Sequence, residues 1–204
     1  MKVNFANVGI VGTGAMGRGI AQIAAQAGST VKLMDAQAGA AEKAREAICA
    51  QWDKLVEKGR LEAEAAAGHK GRLVLASTLA DLADCDLVVE AIVERLDVKR
   101  ALFAELEALV PAGTVLASNT SSLSVTAIAA GLKNPERLAG FHFFNPVPLM
   151  KVVEVIAGLK TSPAICEGLS QYARQMGHTP VQAQDTPGFI VNHAGRAYGT
   201  EALR

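Results

Sequence analysis

A doubly wound, mostly parallel α/β sheet is predicted by three features of this sequence. Short hydrophobic runs alternate with amphipathic stretches along nearly the whole chain. The first run passes through a glycine-rich turn, Gly12-Thr13-Gly14-Ala15-Met16-Gly17, into an alanine-rich helix. The second run ends in an acid, Asp35, about twenty residues beyond that turn.

Each element has its own signal. Val3 to Val11 reads as a buried strand, and the helix after the turn runs through Ala27 to a C-cap at Gly28. Val31 to Met34 is the second strand. The long helix that follows repeats Ala41, Ala44, Ile48, Trp52 and Leu55 at intervals of three or four, and Gly59 closes it. Leu61 to Ala67 adds one or two helical turns. Later strands are expected at 73–75, 86–90, 114–117, 137–141, 152–156 and from Thr179. Between them, helices are expected at 97–110, stopped by Pro111, at 124–130, ended by Gly131, and at 163–176.

Residues 1–185 thus form one expected domain, and 186–204 differ from it. Thr186 has the chemistry of an N-cap, with Pro187 at the first helical position. Ile190, Val191, Ala194, Ala197, Tyr198 and Leu203 mark an apolar stripe on that helix. No residue ends it before Arg204, which reads as a cut and as the start of a helical C-terminal domain.

Composition excludes several classes. With 20 basic and 20 acidic residues the formal charge is zero, so nothing electrostatic points to nucleic acid or to an anionic membrane as partner. Cys49, Cys85 and Cys166 lie far apart, without paired spacing and without nearby clusters of histidine or acid. Neither a disulfide framework nor a metal site is expected, and scattered thiols fit a cytoplasmic protein. No apolar run approaches the ~18–20 residues that span a bilayer. Gly9 to Gly17 break the N-terminal run where a signal peptide would need it intact. The sequon at Asn119 is then expected to stay unglycosylated.

The turn matches G-x-G-x-x-G in the setting of a Rossmann-type unit, between a strand and a helix. Gly12 permits the tight turn, Gly14 lets the backbone approach a diphosphate, and Gly17 permits close helix–strand packing. The helix N-terminus at Ala15 and Met16 offers unpaired N–H groups to that diphosphate. Asp35 would accept hydrogen bonds from ribose hydroxyls and repel a 2′-phosphate, which predicts NAD and not NADP. The ends of the later strands carry Glu90 to Glu94, Ser118 to Ser122 and His142 to Asn145, where doubly wound sheets bind ligands.

Residues 11–21, 84–95, 116–129, 140–156 and 185–192, taken in this order, resemble the L-specific 3-hydroxyacyl-CoA dehydrogenases of fatty-acid β-oxidation and related CoA pathways. The resemblance implies reversible, NAD-dependent oxidation of an (S)-3-hydroxyacyl-CoA to the 3-oxoacyl-CoA. It makes His142 the catalytic base and Glu154 its partner carboxylate, with Ser121 and Asn192 holding the reacting oxygen of the substrate. Glu94, Lys99, Ser121 and Asn145 match positions that contact the NAD ribose and nicotinamide. Lys54 and Lys58, one helical turn apart, would meet the phosphates of coenzyme A, the alternative being a solvated face beside Glu57.

After Asn192 the chain departs from the usual pattern with His193-Ala194-Gly195-Arg196, which resembles the larger bacterial enzymes of phenylacetate breakdown. His193 is the rival histidine. The missing C-terminal domain normally supplies part of the acyl pocket and the homodimer contact. Two other functions share the Rossmann start. One is a β-hydroxyacid or sugar-acid dehydrogenase, which would place a catalytic lysine downstream, and the other is a non-catalytic NAD-binding protein.

Overall fold

The central strands are buried along nearly their whole length and need cover on both sides, and among the described residues helices on each face supply it in the computed structural model. Residues 5–202 are described, with side chains described through Arg196. The order is β1 (Asn7–Val11), α1 (Ala15–Gln26), β2 (Thr30–Met34), α2 (Ala40–Glu57), α3 (Ala63–Gly71), β3 (Leu73–Leu75), β4 (Leu87–Glu90) and α4 (Leu96–Leu109). Then come β5 (Val115–Ser118), α5 (Val125–Ala129), β6 (Leu138–Phe143), β7 (Val152–Ala157), α6 (Pro163–Gln175), β8 (Thr179–Gln184) and α7 (Val191–Ala202). The strands form one sheet in the order β3-β2-β1-β4-β5-β6-β7-β8. The chain reverses its direction of travel across the sheet between β1 and β4, which leaves a crevice at their C-terminal ends.

One layer of core covers one face of the sheet. It joins Val8, Ile10, Phe141, Phe143, Val153 and Val155 to Ile20 and Ile23 of α1, Trp52 of α2 and Leu169 and Tyr172 of α6. The other packs Val88, Leu116, Leu138 and Ile156 against Phe103 and Leu106 of α4 and Ile128 of α5. No helix among the described residues is long and apolar enough to cross a membrane.

One strand pair breaks the parallel pattern. β1 to β6 pair in parallel, but β6 and β7 are antiparallel, and β7 and β8 are parallel to each other. Loop length explains both outcomes. Only residues 144–151 join β6 to β7, too few for the dozen or more of a crossover, whereas β7 and β8 are joined through α6.

Several boundaries differ from expectation. β6 runs on to Phe143 because β7 pairs with it, so His142 lies inside a strand, not beyond its end. α3 extends to Gly71. β1 begins at Asn7, and Val3 lies outside the described residues. The last helix starts at Val191 and not at Pro187, because Gly188 (φ 77°) and Phe189 (φ 50°) adopt left-handed backbone. Thr186 therefore does not cap it. Ile190 and Val191 are 46 % and 41 % exposed and Ala194 is exposed. The side chains of Ala197 and Tyr198, and all of Leu203, lie outside the described residues.

Candidate active site

The glycine turn is shaped by what each Cβ would strike. Gly12 has φ 91° and its N–H donates to the Met34 carbonyl at 2.9 Å. A Cβ there would lie 2.6 Å from the Ala91 carbonyl oxygen, and one on Gly17 only 1.8 Å from that of Gly12. Gly14 is different: a Cβ on it would meet nothing within 4 Å. Gly14 is also the N-cap of α1, with no side-chain cap and no acid in the first turn. The N–H groups at Ala15 and Met16 thus begin a helix with open space in front, which fits an anion such as a dinucleotide diphosphate.

Asp35 closes β2 beside this turn. Its Oδ2 accepts from the Thr13 N–H at 2.7 Å and from the Thr13 hydroxyl at 2.8 Å, and its Oδ1 accepts from the Gln37 N–H at 3.0 Å. Burial opposes its charge, but these donors prevail and hold the carboxyl below its ordinary value.

A second acidic group organises the ends of β4 and β5. Glu94 Oε1 accepts from the Thr120 hydroxyl at 2.7 Å and from the N–H groups of Ser121 and Ser122 at 2.9 and 3.1 Å. Its Oε2 lies 3.3 Å from the Lys99 ammonium. Burial again works upward, yet the donors and Lys99 hold the Glu94 carboxyl down at about 2. Lys99 is itself 1 % exposed, shut between Glu94 and the fully buried Glu90.

The histidine pair follows from alternation. Along β6, Phe141 and Phe143 face one core layer, so His142 between them faces the opposite side of the sheet. Glu154 stands between Val153 and Val155 in the same way, and the register places it directly across from His142. His142 Nδ1 meets Glu154 Oε2 at 2.7 Å. The His142 side chain is 6 % exposed, and the rings of Phe144 and Phe189 flank it at 4.5 and 5.8 Å. Its Nε2 has no hydrogen-bond partner among the described residues. The other Glu154 oxygen accepts from the N–H groups of Ile190 and Val191, both at 2.9 Å, and so caps α7 where Thr186 was expected to.

α7 carries Asn192, whose amide donates to the Ser121 carbonyl at 3.1 Å. A cavity of about 440 Å³ opens between these parts. It is lined by Met16, Glu94, Ser121, His142, Asn145 and Asn192, together with Ala91, Ile92, Asn119, Phe143 and Phe144. Its size is that of a small-molecule site. The remaining candidates lie elsewhere. Lys99 sits beneath the cavity wall, and Gly12, Gly14, Gly17 and Asp35 belong to the neighbouring turn. Lys54 in the last turn of α2 and Lys58 just beyond its end are exposed and do not border the cavity, nor does His193.

Three residues not singled out from the sequence hold this site together. Thr13 holds Asp35, and Asn119 accepts the Phe143 N–H at 2.9 Å, tying β5 to the histidine strand. Glu90 holds Lys99. Only Glu90 had a visible signal, an acid closing a run that is otherwise wholly hydrophobic.

The profile of the 3-hydroxyacyl-CoA dehydrogenase NAD-binding domain matches residues 7–186. The 3-hydroxyadipyl-CoA dehydrogenase of Escherichia coli K12 is 47 % identical over 204 residues, covering all of this chain and 43 % of that protein. The human mitochondrial hydroxyacyl-coenzyme A dehydrogenase is 42 % identical, again over the whole chain, and 67 % of it is covered. A crystal structure of a 3-hydroxybutyryl-CoA dehydrogenase from E. coli superimposes with a TM-score of 0.95 at 47 % identity, over 98 % of this chain and 42 % of the other. The chain thus spans less than half the length of the E. coli proteins it matches. With the matched profile running from the first residue of β1 past the end of β8, the chain belongs to the 3-hydroxyacyl-CoA dehydrogenase family, as its NAD-binding domain.

Proposed function

We propose that this chain carries the cofactor site and the catalytic base for reversible oxidation of an (S)-3-hydroxyacyl-CoA to the 3-oxoacyl-CoA. The observation that supports this most is the His142–Glu154 pair, whose free Nε2 sits at a cavity shared with Ser121 and Asn192. Gly12, Gly14, Ala15, Met16 and Gly17 would hold the NAD diphosphate, and Asp35 the adenosine ribose. Glu94 and Asn145 would face the nicotinamide end, with Lys99 acting through Glu94. NAD, when bound, supplies the hydride acceptor.

The protein's own part is to move a proton and steady an oxygen. With Nδ1 bonded to Glu154, His142 presents Nε2 as the base that takes the 3-hydroxyl proton. Glu154 steadies the imidazolium this produces. In the reverse direction the imidazolium returns the proton as general acid. The Ser121 hydroxyl and the Asn192 amide would hold the reacting oxygen as its charge develops. Lys54 and Lys58 are read as contacts for the coenzyme A phosphates outside the cavity. Residues 186–204 are read as the start of a helical domain through which the longer protein pairs as a homodimer. Relatives more than twice as long leave room for it. Free Cys49, Cys85 and Cys166 support a cytoplasmic setting.

Acetoacetyl-CoA-dependent oxidation of NADH tests the reaction directly. His142→Ala is expected to lower kcat by about 10²–10⁴-fold. NADH affinity should stay within about twofold, because the lost group acts on the transition state. Turnover near wild type in that variant would remove His142 from the mechanism.

A further inference from the structure

Glu90 is wholly buried, and the proposed function gives it no part. It ends β4, and its register partners are Val11 on β1 and Ser118 on β5. Its Oε2 accepts from the Ser118 hydroxyl at 2.6 Å, and its Oε1 accepts from the Ile92 N–H at 2.7 Å and from the Lys99 ammonium. The backbone carbonyl of Glu90 accepts the Asn119 N–H at 2.8 Å. One residue therefore braces the segments that border the cavity, its side chain holding Ile92 after β4 and Ser118 at the end of β5 and its backbone carbonyl holding Asn119 beyond.

The charge count is uneven. Lys99 is shared by two carboxylates, Glu90 and Glu94, so the trio carries one negative charge more than its single ammonium cancels. Glu90 and Lys99 are 0 % and 1 % exposed, whereas the Glu94 side chain is 36 % exposed and lines the cavity. The excess charge can meet a ligand only at Glu94. Were Lys99 left to Glu94 alone, the two would cancel and the cavity would lose its anionic acceptor.

We infer that Glu90 is a positioning residue for the cofactor. By holding Lys99 it leaves Glu94 net anionic and ready to accept hydrogen bonds from hydroxyl groups of the bound NAD. The inference rests on the proposed reading of Glu94 as facing the cofactor. Glu90 itself touches no ligand. It acts through Lys99, and its contribution is charge, not volume.

Two substitutions separate charge from volume, read by fluorescence titration of NADH on the chain. Glu90→Gln keeps the size and removes the charge, and NADH binding is expected to weaken about tenfold, the scale of one charge-assisted hydrogen bond. Glu90→Asp keeps the charge on a shorter arm, and its affinity should stay within about threefold of wild type. A packing role predicts the reverse order, with glutamine benign and aspartate harmful, and that order would overturn the inference. If Glu90→Gln does not fold by circular dichroism, Glu90→Asp alone decides. Retained affinity supports the charge role, and affinity as poor as that of Glu94→Gln overturns it. A wild-type chain that folds but fails to bind NADH would overturn the underlying reading of the site, and the inference with it.

Discussion

Thr13 sits between two glycines of the turn and gives both its N–H and its hydroxyl to one oxygen of Asp35. A carboxylate held from two directions cannot swing aside to admit a 2′-phosphate, so the selectivity for NAD proposed for Asp35 would rest on Thr13 as well. Thr13→Val keeps the shape and the N–H bond but loses the hydroxyl. Loss of one hydrogen bond to a charge, worth ~1–2 kcal/mol, should weaken NAD binding severalfold and narrow the gap to NADP. Calorimetric titration with both cofactors gives the ratio, and an unchanged ratio would count against this role. The glycine turn, Asp35, Glu94 and Ser121 were legible as candidates because each follows the C-terminal end of a strand in a recognisable motif. The contacts of Thr13, Asn119 and Glu90 were not, because their partners come from segments 22, 24 and 9 residues away, and even the acid that closes the β4 run does not show what it holds.

At the scale of elements, helix and strand identities followed from period, while two boundaries were set by partners in space. β6 continues past Phe141 because β7 pairs with it in register as far as Phe143 and Val153, which periodicity within β6 cannot reveal. α7 begins late because Glu154, from the middle of the sheet, accepts its first N–H groups. The turn before α7 needs Gly188, with φ 77° and a would-be Cβ only 3.1 Å from the His193 nitrogen. Gly188→Ala is expected to cost ~1–2 kcal/mol from left-handed backbone alone. Urea denaturation should show that loss, and because the turn leads into Asn192, the variant should also turn over more slowly. Stability equal to wild type would mean that the turn tolerates a side chain.

Among the carboxylates that clasp loops in the described residues, four share one electrostatic signature. They are Asp35, Glu94, Glu107 at the Lys133–Asn134 turn, and Asp185 at the start of α5. Burial alone would raise each carboxyl, but hydrogen bonds outweigh it, led by hydroxyl groups at Glu94 and Asp185 and by backbone N–H groups at Asp35 and Glu107, and hold all four below their ordinary values of 3.8 to 4.5. A carboxyl depressed by folding stabilises the native state above its unfolded value, and the stabilisation fades as pH falls toward the folded one. Thermal midpoints should therefore hold steady down to about pH 4.5 and decline from there toward pH 2, the value to which Glu94 is lowered. Glu94→Gln should make that decline shallower, and an identical slope would show that this clasp contributes nothing. The parallel part of the sheet was legible from alternating strands and helices, whereas the direction of β7 depended on the short loop before it. That single reversal makes His142 and Glu154 opposite rungs of one ladder. Their spacing is then a property of the pleat and does not depend on how residues 144–151 travel between them. Insertions or deletions in that segment can reshape the entrance while His142 and Glu154 stay in register, so what the crevice admits can diverge independently of the geometry of the pair.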